Sequence, residues 1–91
     1  MRNPTPGKRS LESLVSRHPR VYGGSPFIAG TRIRVADVVG SIRSVVADPA
    51  RTMDVLTSIT TRQFEAAMTY YRSHRFEIEA EIKQDEAAAP S

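Results

Sequence analysis

The feature that most constrains this chain is one long apolar stripe near its C-terminal end. Phe64, Ala67, Met68, Tyr71, Ile78 and Ile82 recur with helical periodicity, interrupted at Arg75, so they share one face of an α-helix. Thr60 and Gln63 stand at capping-box spacing, in which each side chain satisfies a backbone donor at a helix start. The pattern predicts a helix from residue 61 to about residue 83. At 1.5 Å per residue it would be roughly 35 Å long, more than a small body readily covers. Its distal half, Glu77-Ile78-Glu79-Ala80-Glu81-Ile82, is therefore expected to dock against a second chain.

A chain of 91 residues makes one domain with a modest core, for which oligomerisation is a common remedy; a homodimer is expected. There are no cysteines, which removes disulfides, thiolate nucleophiles and cysteine-based zinc sites together and fits a reducing, cytoplasmic setting. No apolar run approaches the roughly 18 residues needed to span a bilayer, and residues 1–8 are polar and carry two prolines. A soluble protein with no membrane partner is the expectation.

Residues 1–10 read as a flexible basic arm, residues 11–83 as one domain, and residues 84–91 as a disordered tail. Within the domain, Leu11, Leu14 and Val15 have the spacing of a short helical turn. A hairpin-like stretch follows. Val21 and Tyr22 favour a strand, Gly23-Gly24-Ser25-Pro26 breaks it, and Ala29-Gly30-Thr31 supplies a tight loop with a glycine free to take positive φ. Arg32-Ile33-Arg34-Val35 then alternates, turning Ile33 and Val35 inward and both arginines outward. Val38, Val39, Ile42, Val45 and Val46 predict a helix over about residues 36–46. Asp48-Pro49 is a good start for a second, short helix with Met53 and Leu56 on its apolar side. The fold expected is mainly α with a short N-terminal β-hairpin.

Charge is unevenly spread. Residues 1–34 hold seven lysines and arginines against Glu12 alone, whereas the remainder holds six against nine acids. A basic front and an acidic rear suggest two surfaces with different partners.

Catalysis has little to work with. His18 and His74 are far apart, and neither has a metal-ligand partner at helical spacing. Glu77, Glu79 and Glu81 alternate by two, which spreads them around a helix. Gly23-Gly24-Ser25 lacks the lysine and following helix of a phosphate loop. No catalytic residue, metal site or cofactor is assigned.

Short helices joined by a tight turn and followed by a longer one are compatible with a trihelical helix-turn-helix body, and equally with a plain helical bundle. In the former, a helix N-terminus enters the major groove, and two termini qualify: Thr60, Thr61 and Arg62, or Pro49, Ala50 and Arg51. Sequence alone does not choose between them.

The segment Gly24-Ser25-Pro26-Phe27-Ile28-Ala29-Gly30-Thr31-Arg32-Ile33-Arg34-Val35 resembles a signature of domain-of-unknown-function family 433: a glycine–proline pair, then Gly-Thr-Arg-Ile and a valine opening a helix. Ile59-Thr60-Thr61-Arg62-Gln63-Phe64-Glu65-Ala66-Ala67-Met68-Thr69-Tyr70-Tyr71 is similar to its second signature, a Leu-Thr start and an Ala-rich, Tyr-containing helix. His74 and Glu77-Ile78 match its usual ending. Two positions depart from the pattern: Ala47-Asp48 replaces the glycine usual after the first helix, and Thr57 the proline usual before the Leu-Thr start. The resemblance implies a homeodomain-like or winged helix-turn-helix fold. It also implies an antitoxin role beside a toxin with a PIN-like nuclease fold.

Taken together, the expected function is a DNA-binding antitoxin that neutralises such a toxin and autoregulates its operon. The alternatives are a stand-alone regulator or architectural protein, and an interaction module without DNA binding. Lys8, Arg9, Arg32, Arg34, Arg51, Thr61 and Arg62 are the candidate contacts to double-stranded DNA. Phe64, Met68, Tyr71, Ile78 and Ile82 are the candidate dimer or partner contacts.

Overall fold

The computed structural model describes residue 11 and residues 13–88. Two strands, β1 (Val15–Ser16) and β2 (Phe27–Ile28), pair antiparallel, with Val15 opposite Ile28 and Ser16 opposite Phe27. Four helices follow: α1 (Val35–Arg43), α2 (Pro49–Thr57), α3 (Thr61–Ser73) and α4 (Arg75–Ala88). The protein is mainly helical with a short N-terminal ladder, as its sequence pattern implies.

The ladder uses different residues from those expected. Val15 pairs as a strand, whereas Tyr22 lies in a one-turn 3-10 segment, Tyr22–Gly24. The loop at Gly30 does form: φ is +81°, and Thr31 N–H donates to the Ile28 carbonyl at 3.0 Å. Beyond it, pairing is reduced to one bridge, Phe27 with Arg34, because Val35 already opens α1. Asp37 fixes that start by accepting a 2.9 Å hydrogen bond from Arg34 N–H, and it supplies the negative charge favoured in a first turn.

Helix α1 is the hub, and α2, α3 and α4 all pack on it. Val35, Val38 and Val39 are buried on it, beside Ile28 from β2, Ala67 from α3, and Ile78 and Ile82 from α4. Val45 and Val46 do not continue the stripe. The chain tightens at Ser44, whose Oγ donates to the Gly40 carbonyl at 2.7 Å, and Val46 is left 92% exposed. Helix α2 is tied to α1 by a polar contact: buried Thr52 donates its hydroxyl to the Ser41 carbonyl.

The long C-terminal helix is in fact two. His74 leaves helical geometry at φ −131°, ψ 39°, with its ring stacked on Tyr70 at a centroid distance of 3.9 Å. Neither glycine nor proline marks this break. It lets α4 fold back on α1, so that Ile78 (0% exposed) and Ile82 (6%) complete the chain's own core. Burying two such side chains is worth about 1.5–3 kcal/mol each, which covers the few backbone bonds lost at the kink. The expectation that they dock a second chain is thereby corrected. The expected tail is corrected too, since α4 continues to Ala88. The expected basic arm, residues 1–10, lies outside the described residues, as do residues 89–91.

Candidate nucleic-acid interface

Two capped helix starts present the candidate contacts. At α3, Thr60 Oγ1 accepts from Gln63 N–H at 3.0 Å while Gln63 Oε1 accepts from Thr60 N–H at 2.7 Å. That reciprocal cap fixes the first turn and leaves Thr61 and Arg62 side by side and exposed. At α2, Asp48 Oδ1 accepts from Arg51 N–H at 3.1 Å, with Pro49 in the first helical position. Arg51 is exposed, but its guanidinium turns back over α1, donating to Ser44 Oγ at 3.4 Å. The two starts therefore differ. Arg62 makes no hydrogen bond or ion pair with any described residue, whereas Arg51 leans on the fold.

The two arginines of the hairpin part company. Arg32, at the crest, is exposed and has no polar partner among the described residues. Arg34 is drawn inward: its Nη2 contacts Asp37 Oδ1 at 2.8 Å and Asp85 Oδ2 at 2.7 Å. Its side chain is only 22% exposed. Partial burial opposes its charge, yet the bonds to Asp37 and Asp85 outweigh this and raise its pKa, so it stays cationic. The expected pair of outward guanidinium groups is thus reduced to Arg32.

Arg34 is one of three arginines taken up in the same way. Arg17 pairs with Glu77 and also donates to Tyr70 Oη at 2.9 Å and to the Gly24 carbonyl at 2.9 Å. Arg43 pairs through both nitrogens with Glu79, at 2.8 Å for Nη1 to Oε1, and donates to Tyr71 Oη at 2.9 Å. These bonds hold the Glu79 carboxyl at about 2, with Arg43 the larger cause and Tyr71 the second. Glu77, Glu79 and Asp85 all belong to α4. Two arginines of the basic front, Arg17 and Arg34, therefore meet the acidic rear inside one chain, and Arg43 of α1 joins them.

The expected partner-facing residues divide as well. Tyr71 is half-buried, bonded to Arg43 and Glu79, with the Arg75 guanidinium 5.5 Å from its ring centre. Phe64 and Met68 pack against the core and are half-buried. Lys8 and Arg9 lie outside the described residues.

Sequence reasoning missed Arg17 and Arg43, whose partners lie 60 and 36 residues away, beyond any local pattern. It also missed two exposed arginines. Arg20 has no side-chain partner among the described residues, and Arg72 donates only to Thr69 Oγ1, at 3.3 Å. Arg72 could have been found from helical spacing, because it falls ten residues after Arg62 on the same side of α3.

A two-strand ladder leading into a helical body whose hub is α1, with a three-residue turn between α2 and α3, defines a small, mainly helical protein class. The chain belongs to the DUF433 family, described as a protein of unknown function; the family model matches residues 15–71. Among solved structures, it is similar to a DUF433 member protein from Anabaena variabilis ATCC 29413. That likeness has 28% identity and a TM-score of 0.64, covering 84% of this chain and 74% of the other. No curated protein sequence matches it.

Proposed function

We propose that this protein binds double-stranded DNA and serves as the antitoxin of a toxin–antitoxin pair, restraining a PIN-like nuclease and repressing its own operon. The observation that carries the DNA half is the division among the arginines. Three are neutralised by α4, while Arg20, Arg32 and Arg62 stand exposed with no side-chain partner among the described residues, alongside the lightly held Arg72. An arginine kept outside and unpaired is available to a phosphate oxygen. The connectivity α2, turn, α3 supports the reading, since a capped helix start carrying Thr61 and Arg62 is the geometry by which such bodies enter a groove.

The antitoxin half rests on the family resemblance and on two strongly exposed apolar side chains. Phe76 on α4 is 90% exposed and Val46 is 92% exposed. Each is a point at which an apolar pocket on a partner protein could anchor.

A mobility-shift titration with the duplex upstream of the protein's own gene tests the DNA half. Binding at low salt that is weakened by Arg32→Ala and by Arg20→Ala is expected; no shift at any protein concentration contradicts it. Co-expression with the product of the adjacent gene tests the antitoxin half. A stable complex that silences a nuclease is expected, and two independent proteins contradict it.

A further inference from the structure

Independently of what the protein binds, we infer that α2 is a separately opening segment: it detaches from α1 and melts while the strand ladder, α1, α3 and α4 stay folded. What points to it is an asymmetry in how the helices are attached. Among the described residues, the fully buried apolar core draws on β2, α1, α3 and α4 and takes no residue from α2. Of the nine residues of α2, Thr52 alone is fully buried, and it is polar. Val55 reaches the core but is only half-buried. Helix α3 packs on α1, α4 and both strands, whereas α1 is the one element on which α2 packs extensively.

The seam between α1 and α2 also has its own chemistry. Thr52 donates its hydroxyl to the Ser41 carbonyl, and the Arg51 guanidinium donates to Ser44 Oγ at 3.4 Å. Gly40 leaves room for that guanidinium, since a Cβ there would stand 3.4 Å from Arg51 Nη2. The α1 side of the seam thus includes a glycine and two serines, and closing over them buries little hydrocarbon. Each hydrogen bond is worth only about a fivefold shift in an equilibrium once exchange with water is counted. By contrast, Ala67 of α3 and Ile78 and Ile82 of α4 are buried in the apolar cluster around α1. Water can take over the hydrogen bonds of the first seam, but it cannot replace the packing of the second.

Once off α1, α2 does not hold itself together. Its nine residues fall below the roughly 12–15 that an isolated helix needs in water. Thr52, Val55 and Thr57 are β-branched, which lowers helix propensity further. The chain on either side offers little anchorage: Val45 and Val46 are 46% and 92% exposed, and Thr57 and Ser58 are exposed beyond the last turn. The opening unit therefore runs from about residue 45 to about residue 58. A ligand that grips α2 as a helix shifts the protein toward the closed state. One that grips the Gly40, Ser41 and Ser44 strip of α1 shifts it toward the open state.

The test is native-state hydrogen exchange of the full-length protein, read by NMR at several low urea concentrations, in the regime where exchange reports the opening equilibrium. The hydrogen-bonded amides of α2 are expected to be at least about tenfold less protected than those of Val39 and Ile82. Their rates should depend little on urea, because a small opening exposes little surface. Ile78→Val is expected to speed exchange at Val39 and Ile82 by about fivefold and to leave α2 unchanged, because the Ile78 packing survives when only α2 opens. Thr52→Val removes the donor at nearly constant shape and should speed exchange in α2 by about fivefold, whereas Thr52→Ser stays within about twofold of wild type. Amides of α2 that share the protection and urea dependence of Val39 overturn the inference, since α2 then opens only with the whole fold. Equal acceleration of α2 and the core by Ile78→Val overturns it as well. Separate opening that Thr52→Val leaves unmoved overturns the assignment of the Thr52 hydroxyl as the tie.

Discussion

Arg32 and Arg34 lie two residues apart and alternate with apolar neighbours, so strand pattern alone assigns them one exposed face. Asp85 separates them, reaching Arg34 from 51 residues away. Arg34→Ala removes two partly exposed ion pairs, each worth up to about 1 kcal/mol, so a stability loss of up to about 2 kcal/mol is expected in urea denaturation. Its DNA affinity, measured on folded protein, should stay close to wild type. Arg32→Ala should do the opposite, weakening binding without moving the denaturation midpoint. Glu79 gives a pH prediction. Hydrogen bonds from Arg43 and then Tyr71 place its carboxyl at about 2, below its ordinary value of 4.5. A lowered folded-state pKa adds stability above the unfolded value, and that contribution is lost as pH falls from about 4.5 to about 2. The stability gap between wild type and Glu79→Gln should be constant above about pH 5 and close towards pH 2. A gap that persists undiminished through that window contradicts the assignment.

At the scale of elements, local chemistry was legible and long-range closure was not. The Thr60/Gln63 capping box, the Asp48-Pro49 helix start and the positive φ of Gly30 could each be read from a few neighbouring residues, and each forms. The break at His74 could not. No breaker residue stands there, and apolar residues recur at helical spacing on either side of it because both halves bury them in the one core around α1. The same cause hid the candidate site. Helical spacing could place Thr61 and Arg62 on the first turn of α3, but it could not show which arginines would find carboxylates on α4. The fold-back has a direct test. Ile78→Ala should cost about 2–5 kcal/mol, whereas Phe76→Ala, at a position 90% exposed, should cost almost nothing in the isolated protein. Comparable losses for both, measured by thermal or chemical unfolding, would show that α4 does not pack as described.

At the scale of the molecule, α4 acts as an internal counter-ion to three arginines that precede it in the chain. Glu77, Glu79 and Asp85 run along it and pair with Arg17, Arg43 and Arg34 in turn, so α4 lies antiparallel to α1 and its charge is spent on the fold. Among the described residues, the exposed cations without an ion pair include Arg20, Arg32 at the hairpin crest, and Arg62 and Arg72 along α3. This division is the centre of the account: the fold neutralises one set of arginines and reserves another for phosphate. The most direct measurement is the equilibrium affinity of the full-length protein for a mixed-sequence duplex between about 20 and 300 mM salt. The expected result is a linear fall of log K with log salt, with a slope between about −3 and −5, as the protein's cations release the counter-ions of three to six phosphates. Affinity that does not change with salt, or no binding at the lowest salt, would contradict it.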